Sequence, residues 1–166
     1  MDRDTYISFY NRIEGTGYQK ALKICDKMSV ALTAVAYVLL LFYYFMTEDD
    51  RLVLTIVIPA AEFIALSVIR AALNLPRPYE VWGTRPLISK DTSGKSCPSR
   101  HVFSIFLIAS VFVQFNVAMG LVIIAMGIEL AVIRVLTGVH FERDVLWGAI
   151  SGLLGGLIYS IILLLA

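Results

Sequence analysis

Five apolar stretches dominate this chain: four are of roughly membrane-spanning length, and the third in chain order is somewhat short. They lie near residues 28–46, 52–73, 102–115, 117–136 and 145–166. A helix needs about 20 mostly apolar residues to cross the hydrocarbon core of a bilayer, and inside a bilayer a helix satisfies its own backbone polar groups. With 58% hydrophobic and 16% charged residues, the chain is predicted to be an all-α, polytopic membrane helix bundle. We expect one domain, residues 1–166, with about five transmembrane helices.

The first 27 residues have a different pattern from the apolar stretches. Aromatic and apolar side chains recur there at three- and four-residue steps, with basic residues interspersed. The apolar set is Tyr6, Phe9, Tyr10 and Ile13, and the basic set is Arg3, Arg12, Lys20 and Lys23. This pattern is typical of an amphipathic helix that lies in the membrane interface. We therefore expect an interfacial segment over residues 1–27, followed by a five-span core over residues 28–166.

Two polar loops interrupt the second half of the chain. Residues 74–100 contain four of the five prolines, and residues 137–144 form a shorter polar segment. Long loops in compact proteins are often functional. Five spans place the N-terminal segment and both loops on one membrane face, and the acidic turn at residues 47–51 on the other.

Nearly all the reactive side chains, including both histidines, lie in or beside these two loops. They are Arg70, Arg77, Ser99, Arg100, His101, Arg134, His140 and Asp144. Charged groups near membrane depth usually face a partner or a watery cavity. Guanidinium groups bind phosphate oxygens in pairs and stabilise the charge of phosphoryl transfer. The clustering of arginines therefore predicts a phosphate site on this face.

His140 and Asp144 are the candidate nucleophile and its partner. They are four residues apart, so on the first turn of the last helix both would lie on one face. The carboxylate would then hold one imidazole nitrogen and leave the other free to attack phosphorus. His101 is the candidate acid that protonates the leaving oxygen.

The order and spacing of these residues resemble the three-part signature of the type 2 phosphatidic acid phosphatases, the PAP2 superfamily. The first element, a basic residue, six residues and Arg-Pro, reads Arg70 and Arg77 followed by proline. The second, Pro-Ser-Gly-His, reads Pro-Ser-Arg-His at residues 98–101, with arginine in place of glycine. The third, Ser-Arg, five residues, His, three residues and Asp, matches residues 133–144 except that Ile133 replaces serine. The chain is similar to small bacterial integral-membrane lipid phosphatases of this family.

The resemblance implies a role for each matching residue. His140 would become the phosphohistidine, Asp144 would orient and charge it, and His101 would donate to the leaving group. The implied phosphate-binding residues are Arg70, Arg77, Ser99 and Arg134, with Arg100 as a further cation. Either the loop at Arg100 has a different backbone geometry from one built on glycine, or Arg100 adds a cation near the phosphate or headgroup. No metal and no cofactor are implied, and no carboxylate or cysteine cluster in the sequence suits Mg²⁺ or Zn²⁺.

The function that follows from this resemblance is hydrolysis of a lipid phosphomonoester or diphosphate. Polyprenyl diphosphates such as undecaprenyl diphosphate, phosphatidylglycerol phosphate, phosphatidic acid and diacylglycerol pyrophosphate are all candidate substrates. Two alternatives remain at this level. One is a lipid-to-lipid phosphotransferase that uses the same intermediate, and the other is a non-catalytic lipid-binding membrane protein.

The expected partners are the lipid phosphate substrate and the bilayer itself. A net charge of +1 offers no electrostatic support for a nucleic-acid partner, and the sequence leaves the oligomeric state open. The basic residues on the active-site face indicate a cytoplasmic site by the positive-inside rule, whereas the family resemblance implies the opposite face. We expect a multi-pass protein of the cell membrane with its site on the extracytoplasmic face.

Overall fold

The described part of the chain is helical, with no strand. The structure, a computed structural model, describes residues 2–88 and 92–166, so residues 89–91 of the long polar loop lie outside it. The helices are α1 (Arg3–Ile13), α2 (Gly17–Met46), α3 (Arg51–Leu73), α4 (Pro78–Trp82), α5 (Arg100–Phe115), α6 (Val117–Leu136) and α7 (Glu142–Leu165). The prediction of an all-α membrane helix bundle is confirmed.

Four helices within the described ranges are long and apolar enough to cross a membrane, namely α2, α3, α6 and α7. The fifth apolar helix, α5, has only 16 residues. At 1.5 Å per residue it is about 24 Å long, which is less than the roughly 30 Å of a hydrocarbon core. It is also largely buried and packs mainly against α6 and α7. The bundle therefore consists of four full-length spans and a short inner helix, in keeping with the predicted number of about five.

Glycines on α7 allow α5 to approach it closely. Gly148, Gly152 and Gly156 follow one another at four-residue steps and face α5. A methyl group at Gly152 would lie 2.5 Å from the carbonyl oxygen of Phe103, and one at Gly148 would lie 2.7 Å from that of Ser99. Small residues at this spacing are typical of closely packed membrane helices. The packing brings the start of α5 against the start of α7, where the two polar loops end.

The N-terminal segment is shorter than predicted. α1 ends near Ile13, and Gly15 then adopts a left-handed backbone conformation with φ of +76°, which interrupts the helix. Residues 17–27 form the first turns of the long helix α2. The predicted boundary at residue 27 therefore falls inside α2, and the separate amphipathic helix is α1 alone.

α1 is attached to both polar loops through Tyr6. This side chain is completely buried, and its hydroxyl donates to the backbone carbonyls of Arg85 at 3.0 Å and Thr137 at 3.3 Å. Its ring centroid lies 5.2 Å from that of Trp82. The N-terminal helix and the two loops thus lie on the same face of the bundle, as the count of spans predicts.

Candidate active site

His140 and Asp144 come together at the start of α7. His140 lies outside the helix, because α7 begins at Glu142 and Phe141 caps it; the prediction that both residues share a helical face is wrong. The contact arises because Asp144, in the first turn, reaches back and accepts from the backbone N–H of Phe141 at 3.0 Å. A carboxylate in this position satisfies a free donor of the helix end. The same oxygen, Oδ2, lies 3.6 Å from Nδ1 of His140.

Ser96 is a third member of this cluster that the sequence analysis missed. Its hydroxyl donates to Oδ2 of Asp144 and lies 3.5 Å from Nδ1 of His140. Its backbone N–H donates to the carbonyl of Leu75 at 2.9 Å, and the residue is completely buried. A single serine in a polar loop carries no signal in one sequence that would have marked it. Ser96 holds the carboxylate that in turn faces the imidazole.

The environment keeps His140 uncharged at neutral pH. Burial lowers the pKa of His140 to about 4, and the positive charges of Arg77 and Arg134 act in the same direction, although Asp144 opposes them. The backbone N–H of His140 donates to the carbonyl of Arg134 at 3.1 Å. Because Nδ1 is beside Asp144, Nε2 is the nitrogen left with a free lone pair. A neutral imidazole held in this way suits a nucleophile.

His140 lines a cavity of about 370 Å³ that is rich in positive charge. His101 lines it as well, and the described lining includes four cations and no acid. The cations are Arg70, Arg77, Lys95 and Arg100. Preorganised cations in a partly enclosed site favour a multiply charged anion and the charge of phosphoryl transfer. Lys95 was absent from the predicted set, because it belongs to no element of the family signature.

Arg70 and Arg77 are held by backbone carbonyls. Arg70 donates from Nη1 to the carbonyl of Pro98 at 2.6 Å. Arg77 donates from Nε to the carbonyl of Gly94 at 3.1 Å and from Nη1 to that of Val139 at 3.2 Å. Carbonyl groups fix the direction of a guanidinium without cancelling its charge. Both cations therefore remain available to an anion in the cavity.

Arg134 and Ser99 lie outside the lining of this cavity. Nε of Arg134 is 2.6 Å from Oδ1 of Asp26 on α2, and both side chains are buried. The hydroxyl of Ser99 is also buried, and no group in residues 2–88 and 92–166 forms a hydrogen bond with it. The backbone N–H of Ser99 instead donates to the carbonyl of Asp144 at 2.9 Å. That Arg134 and Ser99 bind phosphate directly stays a prediction.

Arg100 and His101 form the first turn of α5. Arg100 has an ordinary helical backbone and is not among the residues with positive φ. The position therefore does not require glycine, and of the two explanations for the arginine the structure favours an added cation. The side chain is exposed, with its guanidinium carbon 5.8 Å from the ring centroid of Phe63 on α3.

An apolar groove adjoins the cationic cavity at Arg100 and His101. It begins as a pocket of about 240 Å³ between α2, α3 and α5, with Val30, Phe63 and Ile108 in its lining. A second apolar pocket of about 300 Å³ shares Phe63 and Ile108 with the first and extends along the same three helices. A cationic cavity joined to an apolar groove can take an amphiphile with an anionic headgroup.

No group of three or more His, Cys, Asp or Glu residues within the described ranges could hold a metal ion. Independence from a metal stays a prediction.

Comparison with known proteins identifies the family. The sequence profile of the PAP2 superfamily matches residues 60–164, which include every residue of the cluster described above. The chain belongs to the PAP2 superfamily. Membership of this superfamily supports phosphatase activity for this chain. A sequence comparison with curated proteins gives no match.

Two solved structures share the PAP2 transmembrane fold of this chain. Aquifex aeolicus LpxE is similar with a TM-score of 0.73 and 20% sequence identity, over 95% of this chain and 93% of that one. The first transmembrane PAP2 type phosphatidylglycerolphosphate phosphatase from Bacillus subtilis is similar with a TM-score of 0.62 and 19% identity, over 95% and 92% of the two chains. With its apolar helices, this PAP2 protein is a multi-pass membrane protein.

Proposed function

We propose that this PAP2 protein is a lipid phosphatase that transfers a phosphoryl group first to His140 and then to water. One observation carries the proposal: an uncharged histidine, backed by a carboxylate, lines a cationic cavity that adjoins an apolar groove. The cavity suits a phosphorylated headgroup and the groove suits a hydrocarbon chain. The contact between a buried histidine and a buried carboxylate beside the cavity favours catalysis over lipid binding alone.

In the first step, Nε2 of His140 attacks the phosphorus atom. The bond between phosphorus and the leaving oxygen breaks, and His101 gives a proton to that oxygen. Asp144 stabilises the positive charge that forms on the imidazole, as a carboxylate does for a histidine in other active sites. Arg70 and Arg77 bind the phosphoryl oxygens, whose charge is greatest in the transition state.

In the second step, water attacks the phosphohistidine. His101, which has lost its proton, accepts one from the water molecule, and the bond between phosphorus and Nε2 breaks. Inorganic phosphate leaves, while His140 returns to its neutral form and His101 to its protonated form. All protons balance over the two steps without a metal ion. The substrates that we propose are polyprenyl diphosphate, phosphatidylglycerol phosphate, phosphatidic acid and diacylglycerol pyrophosphate.

The decisive experiment measures release of inorganic phosphate from these four lipids by purified protein in detergent. We expect turnover of at least one lipid by the wild type and a loss of roughly 1,000-fold or more in His140→Ala, because the nucleophile is gone. His140→Ala removes an uncharged side chain and leaves no new buried charge, so it should remain folded. Asp144→Asn should retain more activity than His140→Ala, because the nucleophile is still present.

Three results would contradict parts of the proposal. Substantial activity in His140→Ala would contradict a phosphohistidine intermediate. Transfer of phosphate to a second lipid without release into solution would indicate a phosphotransferase. No turnover of any of the four lipids would favour a non-catalytic lipid-binding protein.

A further inference from the structure

Arg100 lies at the junction of the cationic cavity and the apolar groove. It lines both, whereas Arg70, Arg77 and Lys95 line the cavity and not the first pocket of the groove. Its guanidinium stacks near Phe63, a residue of the groove. A cation over an aromatic face is held there by the ring quadrupole. Arg100 is thus the one cavity cation within the described residues that also faces the path of a lipid chain.

No carboxylate in residues 2–88 and 92–166 forms an ion pair with Arg100. Its side chain contacts Phe63. Arg70 and Arg77, by contrast, donate to backbone carbonyls that fix their direction. An exposed guanidinium at the edge of a cavity is free to turn toward an anionic group of the substrate.

The order of groups along the site determines which part of a substrate Arg100 meets. The reacting phosphorus must lie beside His140, and the hydrocarbon chain must lie in the groove. The atoms that connect them therefore pass Arg100 and His101. In a phosphomonoester, a single uncharged ester oxygen makes this connection. In a lipid diphosphate, the connection contains a second phosphate, which carries negative charge.

We infer that Arg100 binds the lipid-proximal phosphate of a lipid diphosphate and makes this PAP2 protein selective for diphosphates over the matching monophosphates. The inference rests on the proposed function and specifies its substrate class. In the reaction, His140 takes the terminal phosphoryl group and the electrons of the broken bond go to the bridging oxygen. The leaving group is then a lipid monophosphate, protonated by His101 at that oxygen. Arg100 stabilises the charge on this leaving group.

The test compares kcat/KM for phosphate release from a diacylglycerol diphosphate and from the matching diacylglycerol monophosphate at fixed ionic strength. We expect the wild type to prefer the diphosphate. Arg100→Gly, which restores the family residue, should lower the ratio of the two values by about tenfold or more. Arg100→Ala should do the same without the lower helix propensity of glycine. The ratio for Arg100→Lys should lie between those of these variants and the wild type. Lysine keeps the positive charge but lacks the guanidinium group that can donate two hydrogen bonds to one phosphate.

Lys95→Gln is the matched control, because Lys95 is an exposed cation of the same cavity that does not line the groove. It should lower kcat/KM for both lipids by similar factors and leave their ratio within about threefold of the wild type. A ratio in Arg100→Gly and Arg100→Ala equal to that of the wild type would overturn the inference, and so would a wild type that prefers the monophosphate. If the wild type releases no phosphate from either diacylglycerol lipid, the same comparison is made with polyprenyl diphosphate and its monophosphate. The proposed function itself fails only if none of the four proposed lipids releases phosphate.

Discussion

At the scale of single residues, burial decides the charge of His140. His140 lines the cavity, and its side chain lies beside the carboxylate of Asp144 in α7. Burial in a site with several cations disfavours the imidazolium, which would add one more positive charge. This makes His140 available as a nucleophile well below neutral pH. In the reaction that we propose, Asp144 stabilises the positive charge that the imidazole acquires when it bonds to phosphorus.

The acid limb of the pH profile should reflect this environment. Because the pKa of His140 is lowered from 6.5 to about 4, kcat/KM should remain on its plateau through pH 6 and fall to half near pH 4. Protonated imidazole has no lone pair with which to attack. The unfolded chain binds this proton more tightly, so stability should also fall as pH drops from about 6.5 to about 4.

The measurement is kcat/KM against pH in the purified protein, with the folded state checked at each pH. It should be made with two lipids, because a limb due to the substrate phosphate, which titrates near pH 6, would move with the substrate. An acid limb with its midpoint near pH 6.5 for both lipids would show that burial does not lower the pKa of His140.

Arg134 matches the family signature, but its side chain contacts an acid on another helix and does not line the cavity. The family signature marks it as a phosphate ligand, yet its guanidinium is in a buried ion pair with Asp26. Asp26 lies 108 residues away in the chain, and no local pattern connects the two. Spacing along the chain made Arg134 a candidate phosphate ligand, but only the packing of α2 on α6 revealed its ion pair with Asp26.

At the scale of elements, α1 supports the site instead of serving only as an interfacial helix. Tyr6 joins α1 to the carbonyl of Arg85 in the long loop and to that of Thr137 in the second loop. Leu87 donates from its backbone N–H to the same carbonyl of Thr137 at 3.0 Å. Burial raises the pKa of Tyr6 to about 12, so its hydroxyl remains a donor. The helix thus ties together the two loops that carry the reactive residues.

Removing the Tyr6 hydroxyl should loosen this connection. In Tyr6→Phe, the ring stays but the buried carbonyl of Thr137 and the half-buried carbonyl of Arg85 lose a donor, so we expect a loss of about 1–2 kcal/mol in stability. A decrease of several-fold in kcat/KM should accompany it, because the loops hold Arg77 and His140. Thermal unfolding in detergent and phosphate release measure the two effects.

Tyr10→Phe is the matched control for this change. Tyr10 lies one turn further along α1, and its hydroxyl donates to Glu14 on the exposed side. Loss of that hydroxyl should change stability by less than about 0.5 kcal/mol and leave kcat/KM unaltered. Equal effects of the two variants would mean that Tyr6 has no special part in joining the loops.

The packing of α5 on α7 is also a property of elements. The distances at Gly148 and Gly152 leave no room for a larger side chain without a shift of backbone. The closeness of the two helices lets the backbone of Ser99 reach that of Asp144. Only the structure shows that α5 is the helix that these glycines face.

At the scale of the whole molecule, the two ends of α2 mark the two membrane faces of the bundle. The start of α2 is near α1 and the polar loops, and its other end leads into the turn before α3. Asn11 on α1 and Asp50 in this turn are both exposed and lie at opposite ends of the bundle. We propose that the end with Asn11 and the active site faces the outside of the cell membrane.

Cysteine labelling in intact cells tests this orientation. Cys97 is unsuitable as a probe, because it is buried and its pKa is raised to about 11, which keeps it protonated and unreactive. In a background of Cys25→Ser and Cys97→Ala, a membrane-impermeant maleimide should label Asn11→Cys before lysis and Asp50→Cys only after lysis. The reverse pattern would place the site in the cytoplasm, as the positive-inside rule indicates.

The sequence by itself determined the features that are local in the chain. Apolar length set the spans, because crossing a bilayer requires it, and fixed spacings marked His140, Asp144 and most of the cavity cations. Tertiary structure decided the contacts between segments far apart in sequence. Ser96 meets Asp144 across 48 residues and Tyr6 meets Thr137 across 131. Such contacts depend on how helices pack against each other, and the periodicity of one helix carries no information on which neighbour it faces.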